Sequence, residues 1–481
     1  MDEKLYAKCS CQHCGTHIEF PLEAAGRTLA CPHCQEPTTL SLAVSPAAQD
    51  RPTVAQVVGA FRGPITRPRV PLGYHAGLLL VTAMMILLPL IYVVAVLALV
   101  GGIDYYAVHY RFLVESVHGE PRWFLLKLLA YAGPLFIGGV LVLFMVKPLF
   151  ARRARQPEPT TLNPATEPAL FAFVAKICDT VGAPMPGQIH LDCHLNASAS
   201  LKEGAGNFLG KQTVLTIGLP LVAGVNMQEF AGIIAHEFGH LTQGFGMRLS
   251  YVIRSINEWF ARVAYERDTW DVWLDAWAEE VDDWRTMLVT HVTRLAIWLS
   301  RALLKLLMHA GHGVSCFLMR QMEYNADDYM IKVAGTGTFE HTATRLLLLG
   351  EASQQSYKAM RTAWDSSRHM PDNFPAFLAR VERQLTPEQR NKVAERMTLS
   401  RSSIFDTHPA VCDRLARARR ANEPGIFQLE QPATLLFTDF DAVAKTLTVR
   451  HYKDELGLPC DTASLQPAEI MEIITTIPAK G

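Results

Sequence analysis

The stretch IIAHEFGHLTQ, residues 233–243, decides how the rest of the chain is read. His236 and His240 are four residues apart, so on an α-helix they lie about 40° apart around the axis and aim both imidazoles at one point. Glu237 follows the first histidine and sits about 100° round from it, close enough to meet a water held there without becoming a ligand. That pattern suits metal-assisted hydrolysis, in which zinc acidifies a water and a carboxylate takes its proton. Gly239 costs a helix roughly 1 kcal/mol against alanine, which implies that something packs closely against it. One helix supplies only two ligands, and a third must come from elsewhere.

The 481 residues leave room for two or three domains, and a formal net charge of −1 gives no indication of a nucleic-acid binder. The apolar residues are concentrated. Residues 76–100 and 128–146 carry no charge and are long enough to cross about 30 Å of hydrocarbon as helices, with Pro89 and Pro134 tolerated inside them. The N-terminus MDEKLYAKCS lacks the apolar core of a signal peptide. Arg62, Arg67 and Arg69 precede the first span, and Lys147, Arg152, Arg153 and Arg155 follow the second, while the loop between them is mixed in charge. The positive-inside tendency then places both outer flanks in the cytosol, in an integral membrane protein of the cytoplasmic membrane if the source is bacterial.

Five of the ten cysteines lie within the first 34 residues. Cys11 and Cys14 form one C-x-x-C pair and Cys31 and Cys34 another, at the spacing of a four-thiolate zinc ribbon. A cytosolic side keeps thiols reduced, which argues against disulfides. A ribbon this small cannot hold itself by burial alone, so its zinc is expected to be structural, and a protein partner for it is left open.

A carboxylate for the third ligand position appears in MEYNADDYMIKVAG, residues 322–335. Glu323 and Asp327 are four apart on an expected helix, and Ala326 leaves room for a close neighbour. One acid is suited to reach the metal while the other accepts an N–H from a ligating imidazole.

Four motifs follow one another along the chain: HLNASAS at 194–200, HEFGH at 236–240, EYNADDY at 323–329 and FDTHPAVCDR at 405–414. Together they resemble the integral-membrane zinc endopeptidases that include the CAAX prenyl protease and the HtpX heat-shock protease, metallopeptidase family forty-eight, over roughly residues 160–420. The resemblance implies His236, His240 and Glu323 as zinc ligands, Glu237 as general base and Asp327 beside a ligating histidine. It implies that His408, in an H-P-x-x-x-x-R pattern with Arg414, approaches the metal to bind the oxyanion or to cover the ion. It also implies an edge strand opening at Asn196 and Ala197 that holds an extended peptide.

The expected fold is α+β and mostly helical, a gluzincin-type protease domain with a small edge-stranded sheet. Residues 1–42 form the ribbon, 43–72 a Pro-rich linker, 73–150 two transmembrane helices (about 76–100 and 125–147) and 151–168 a second linker. The peptidase domain covers 169–420 with a helical insert at 244–320, and 421–481 is an accessory segment. Arg294, Arg301 and Lys305 interrupt the insert at intervals of seven and four, which favours an amphipathic helix on the bilayer or over the core rather than a span. The expected activity is hydrolysis of protein or peptide substrates at the cytosolic face of a lipid bilayer with one catalytic zinc. The alternative is a catalytically silent scaffold or a ribbon-centred adaptor.

Overall fold

The computed structural model describes residues 6–10, 17–21, 28–39, 51–68, 72–115, 121–150, 158–201, 212–242, 245–265, 284–403, 406–459, 464–468 and 471. Strands β1 (Tyr6–Ser10) and β2 (His17–Pro21) pair antiparallel, as do β3 (Thr28–Ala30) and β4 (Pro37–Thr39). Cys31 and Cys34 belong to the turn of the second hairpin, while Cys11 and Cys14 lie outside the described residues. In the second turn the His33 N–H donates to Cys31 Sγ over 3.4 Å, and Gln35 takes a positive φ of 63° to close the loop.

Helices α1 (Leu72–His109) and α2 (Pro121–Val146) are apolar on all sides and expose leucine, isoleucine and phenylalanine along their length. Apolar exposure of that kind belongs in lipid. They run antiparallel: Tyr106 Oη donates to the Ala130 carbonyl at one end, and Tyr92 Oη to the Met145 carbonyl at the other. A sheet follows in the order β5–β6–β8–β7, built from Thr160–Thr161, Gln188–Asp192, Thr213–Gly218 and Ala197–Leu201 respectively. β6 and β8 are parallel, and β7 pairs antiparallel with β8 at the sheet edge. Helix α3 (Pro168–Val181) buries Leu170, Phe173, Val174, Ile177 and Val181, a stripe at helical spacing, in the same core.

Next come α4 (Met227–Leu241), α5 (Phe245–Tyr265), α6 (Trp284–Ala334) and α7 (Thr336–Ser367), then α8 (Phe374–Arg383), α9 (Val411–Ala421) and α10 (Phe440–Asp454). A capping box fixes the start of α4: Asn226 accepts from the Glu229 N–H, and Glu229 accepts in return from the Asn226 N–H. The fold is thus mostly helical α+β, as expected.

Three expectations change. The insert is not a separate amphipathic helix, because residues 284–334 form one continuous helix whose 287–334 part is the third described helix long and apolar enough to cross a membrane. Its Leu304 and Leu307 pack with Tyr92 and Val96 of α1, Met145 of α2 and Phe260 of α5. Of the cations that interrupt it, Arg294 is exposed and Lys305 lies 5.0 Å from the Tyr265 ring centre. Residues 266–283 of the insert lie outside the described residues. The stretch 51–68, expected as free linker, docks instead: Val57 is fully buried, and the Arg62 N–H donates to the Ile426 carbonyl over 2.7 Å. Residues beyond 420 are likewise no appendage, since Phe427, Phe437, Leu447 and Tyr452 belong to the central core.

At the last turn of α2 two carbonyls lack helical partners, and side chains from the other two helices satisfy them. Tyr92 Oη serves Met145 over 2.8 Å and Ser300 Oγ serves Phe144 over 3.1 Å, with the two hydroxyls 3.2 Å apart. Tyr92→Phe is expected to lower stability in detergent by about 1 kcal/mol, read as an earlier midpoint in a denaturant titration. An unchanged midpoint would mean that this polar knot does not tie the helices together.

Candidate metal centre

The site forms where α4 crosses α6 in the antiparallel sense. A Cβ on Gly239 would lie 2.9 Å from the Tyr329 ring and 3.2 Å from the Ala326 Cα, and one on Gly232 would lie 2.9 Å from the Ala334 Cβ. These two glycines, seven residues apart, let the backbones approach, and Gln228 Nε2 closes the far end by donating to the Ala334 carbonyl over 2.9 Å. The small residues at 239 and 326 read from the sequence thus face each other.

That approach brings His236, His240 and Glu323 together, with one ligand atom from each lying within 4.8 Å of the others. His236 Nε2 is 3.5 Å from Glu323 Oε2, and His240 Nε2 is 3.7 Å from Glu323 Oε1. Donors in a tetrahedral zinc shell stand about 3.3 Å apart, so two imidazoles and a carboxylate at this spacing fit zinc in chemistry and in size. On the far side of the first ring, His236 Nδ1 is 3.2 Å from Asp327 Oδ1. The two acids of α6 thereby take different places, Glu323 among the ligand atoms and Asp327 behind a histidine. Burial holds the His240 imidazole down to about 3, with the neighbouring His236 adding to it, which keeps His240 in the neutral form that binds metal. Burial opposes a charge on His236 as well, but the carboxylates of Asp327 and Glu323 outweigh it and raise the ring to about 10. Metal capture at Nε2 therefore displaces a proton.

Asp327 is almost fully buried and is held by Arg414 of α9 through a fork, Nε donating to Oδ2 over 2.8 Å and Nη2 to Oδ1 over 2.5 Å. One residue further along α6 and three further along α9, Arg417 makes the same two-point contact with Asp328, at 3.1 and 2.8 Å. A third arginine, Arg320, donates to the carbonyls of Ser403 and Asp406 and fixes the loop that leads to His408. His408 Nδ1 stands 3.1 Å from Glu323 Oε2 with most of its ring open to solvent. Its nearest partner is thus the carboxylate grouped with the two histidines.

Glu237 points to the sheet edge. The Ala199 N–H donates to its carboxylate, and burial pushes that carboxyl up against the pull of His236 and this N–H. The expected peptide-binding strand is therefore next to the carboxylate, but through Ala199 rather than the two residues named from the sequence. The Asn196 side chain donates to Asp192, its carbonyl accepts from the Gly218 N–H over 2.9 Å, and Ala197 packs on the core. In the register with β8, residues 196, 198 and 200 direct their backbone groups inward, which leaves those of 197, 199 and 201 facing out.

Sequence reading missed Asp328, Arg417, Arg320 and Ala199. The recurrence of Arg414 and Arg417 three apart, opposite adjacent aspartates, was the available signal for the second pair.

An H-x-x-x-H helix opposed by a carboxylate-bearing helix, beside a short edge-stranded sheet, defines a metallopeptidase. Residues 164–422 match the model of Peptidase family M48, more than half of the chain, and the chain belongs to that zinc-dependent family. No curated protein and no solved structure matches the chain.

Removing Arg414 leaves the Asp327 carboxylate buried with one partner fewer. Arg414→Ala is expected to cost about 3–5 kcal/mol in chemical denaturation and to lower zinc retention, with Arg414→Lys recovering only part because it lacks the fork. A loss below 1 kcal/mol would show that Asp327 does not depend on this arginine.

Proposed function

We propose that the protein is a membrane-anchored zinc endopeptidase that hydrolyses protein or peptide substrates at the cytosolic face of the bilayer. The observation that carries the reading is the grouping of His236, His240 and Glu323 beside Glu237, within reach of an outward-facing strand edge. Bound by those three residues, zinc supplies positive charge that polarises a scissile carbonyl and acidifies a water.

The chain's own groups do the rest. An extended substrate adds to β7 through the outward backbone of Ala197 and Leu201 and the Ala199 carbonyl, the Ala199 N–H being taken by Glu237, and this contact presents its scissile bond to Glu237. Glu237 takes the proton of the attacking water and later returns it to the leaving amine, a task served by a carboxyl whose proton affinity burial has raised. Asp327 holds the His236 ring in place through Nδ1 and is itself held by Arg414. His408, mostly open to solvent beside Glu323, is assigned the developing oxyanion.

The N-terminal hairpins are assigned a structural zinc held by Cys11, Cys14, Cys31 and Cys34, with a protein partner as its target. Three apolar helices support the membrane anchor, and the basic flanks support a cytosolic catalytic domain. Detergent-purified wild type is expected to hold two zinc ions per chain by atomic absorption and to cleave unfolded casein. Glu323→Gln is expected to keep one zinc and lose cleavage, while Glu237→Gln keeps both ions and loses about 10²-fold or more in rate. One zinc in wild type, unchanged in Glu323→Gln and without cleavage, would replace this reading with that of a silent scaffold.

A further inference from the structure

The chain around His408 is held on both sides, and one hold comes from the helix that carries Glu323. After His408, residues 410–413 lie against 400–403. Cys412 Sγ donates to the Ser400 carbonyl over 2.9 Å, Ser402 Oγ accepts the Ala410 N–H over 2.7 Å, and the same hydroxyl donates to Asp413 Oδ2 over 3.1 Å. Pro409 and Ala410 are buried, which fixes the backbone on this side.

Before His408 the hold comes from α6. Ser403 and Asp406 are tied to each other: the Asp406 N–H donates to the Ser403 carbonyl over 3.2 Å, and the Ser403 N–H to Asp406 Oδ2 over 2.6 Å. Arg320 Nη1 donates to both backbone carbonyls of this pair, over 3.1 Å to Ser403 and 2.8 Å to Asp406. A guanidinium nitrogen carries two hydrogens, so one atom serves both. Arg320 is three residues before Glu323 and its neighbour on the helix surface. Asp406 is two residues before His408, whose Nδ1 stands 3.1 Å from Glu323 Oε2. One turn of α6 thus presents a metal-site carboxylate and the cation that anchors the chain leading to His408. The His408 side chain is 67 % exposed, so its backbone rather than packing decides where the ring stands.

We propose that Arg320 is a positioning residue: by holding Ser403 and Asp406 on α6 it keeps the His408 imidazole beside the metal centre, where the oxyanion develops. The inference rests on the peptidase reading above and on the part which that reading gives to His408. The action is indirect and selective. Loss of Arg320 weakens the grip on a tetrahedral anion and leaves an extended peptide bound to β7 as before.

Two fluorescent peptides of one sequence, with an amide or a tetrahedral phosphonate at the scissile position, are titrated by anisotropy against full-length zinc-loaded protein in detergent. A Glu237→Gln background keeps the amide intact. Adding Arg320→Gln is expected to lower the affinity ratio of phosphonate to amide about tenfold, with amide affinity and zinc content unchanged. His408→Ala is expected to lower it at least as far, and Arg320→Gln on top of His408→Ala to add nothing. Arg320→Lys, which keeps donors for two carbonyls, is expected to recover part of the ratio. Asp406→Ala, which unties the same pair from its exposed side, is expected to give the same selective fall.

An unchanged ratio in Arg320→Gln would overturn the proposal, as would losses that multiply in the double variant. An equal fall for amide and phosphonate would also overturn it, being the mark of general damage. If Arg320→Gln loses its zinc, Asp406→Ala decides, and an unchanged ratio there overturns the proposal. A starting protein that binds phosphonate no better than amide does the same. Casein cleavage by wild type is measured alongside. Its absence sinks the peptidase reading while an Arg320-dependent ratio still stands as anion recognition; its presence with a ratio indifferent to Arg320 sinks this proposal alone.

Discussion

The site depends on one buried carboxylate. Asp327 is gripped by the Arg414 fork on one side and faces His236 Nδ1 on the other, so a single side chain joins α6, α4 and α9. Desolvating a carboxylate costs several kcal/mol unless cations and donors surround it. Here they come from two other helices, and neither can shift without exposing the others to that cost. The order of His236 is therefore a consequence of the tertiary fold and cannot be built by α4 alone. The second pair, Arg417 with Asp328, fixes the rotation of α9 against α6, and this rotation sets the path of the chain to His408.

How much could be read before folding is decided by where the information sits. His236, Glu237 and His240 were legible because one helix fixes their relation, and Glu323 with Asp327 because another does. Gly239 and Ala326 were legible as a demand for close packing, and the structure places them against each other. Ala199 was not legible, since only the register of β7 on β8 shows which backbone groups face outward. The docking of 51–68 escaped because its prolines signal an extended chain whether or not Val57 finds a core. The continuity of α6 escaped because Arg294, Arg301 and Lys305 look like interruptions of a span until their surroundings are known.

The edge strand meets the candidate base through a backbone hydrogen bond, the Ala199 N–H to the Glu237 carboxylate. A carboxylate that accepts from the rim of the sheet is held there by the fold itself, and in the proposed function the same rim receives the backbone of an extended peptide. In that proposal, binding geometry and proton transfer share one reference, and the place of the cut follows the register of the added strand.

Helix α6 is a single rod. From Ser300, knotted to α1 and α2, to Glu323 is 23 residues, or about 35 Å at 1.5 Å per residue. A tilt of about 5° in the lipid-facing part therefore carries Glu323 sideways by about 3 Å, the scale of one ligand spacing, and tilt answers to bilayer thickness. The glycine seam couples α4 to α6, so the ligands keep their mutual distances. With the membrane placement proposed above, bilayer thickness would bear on the site through the 23-residue arm of α6 that runs from Ser300 to Glu323.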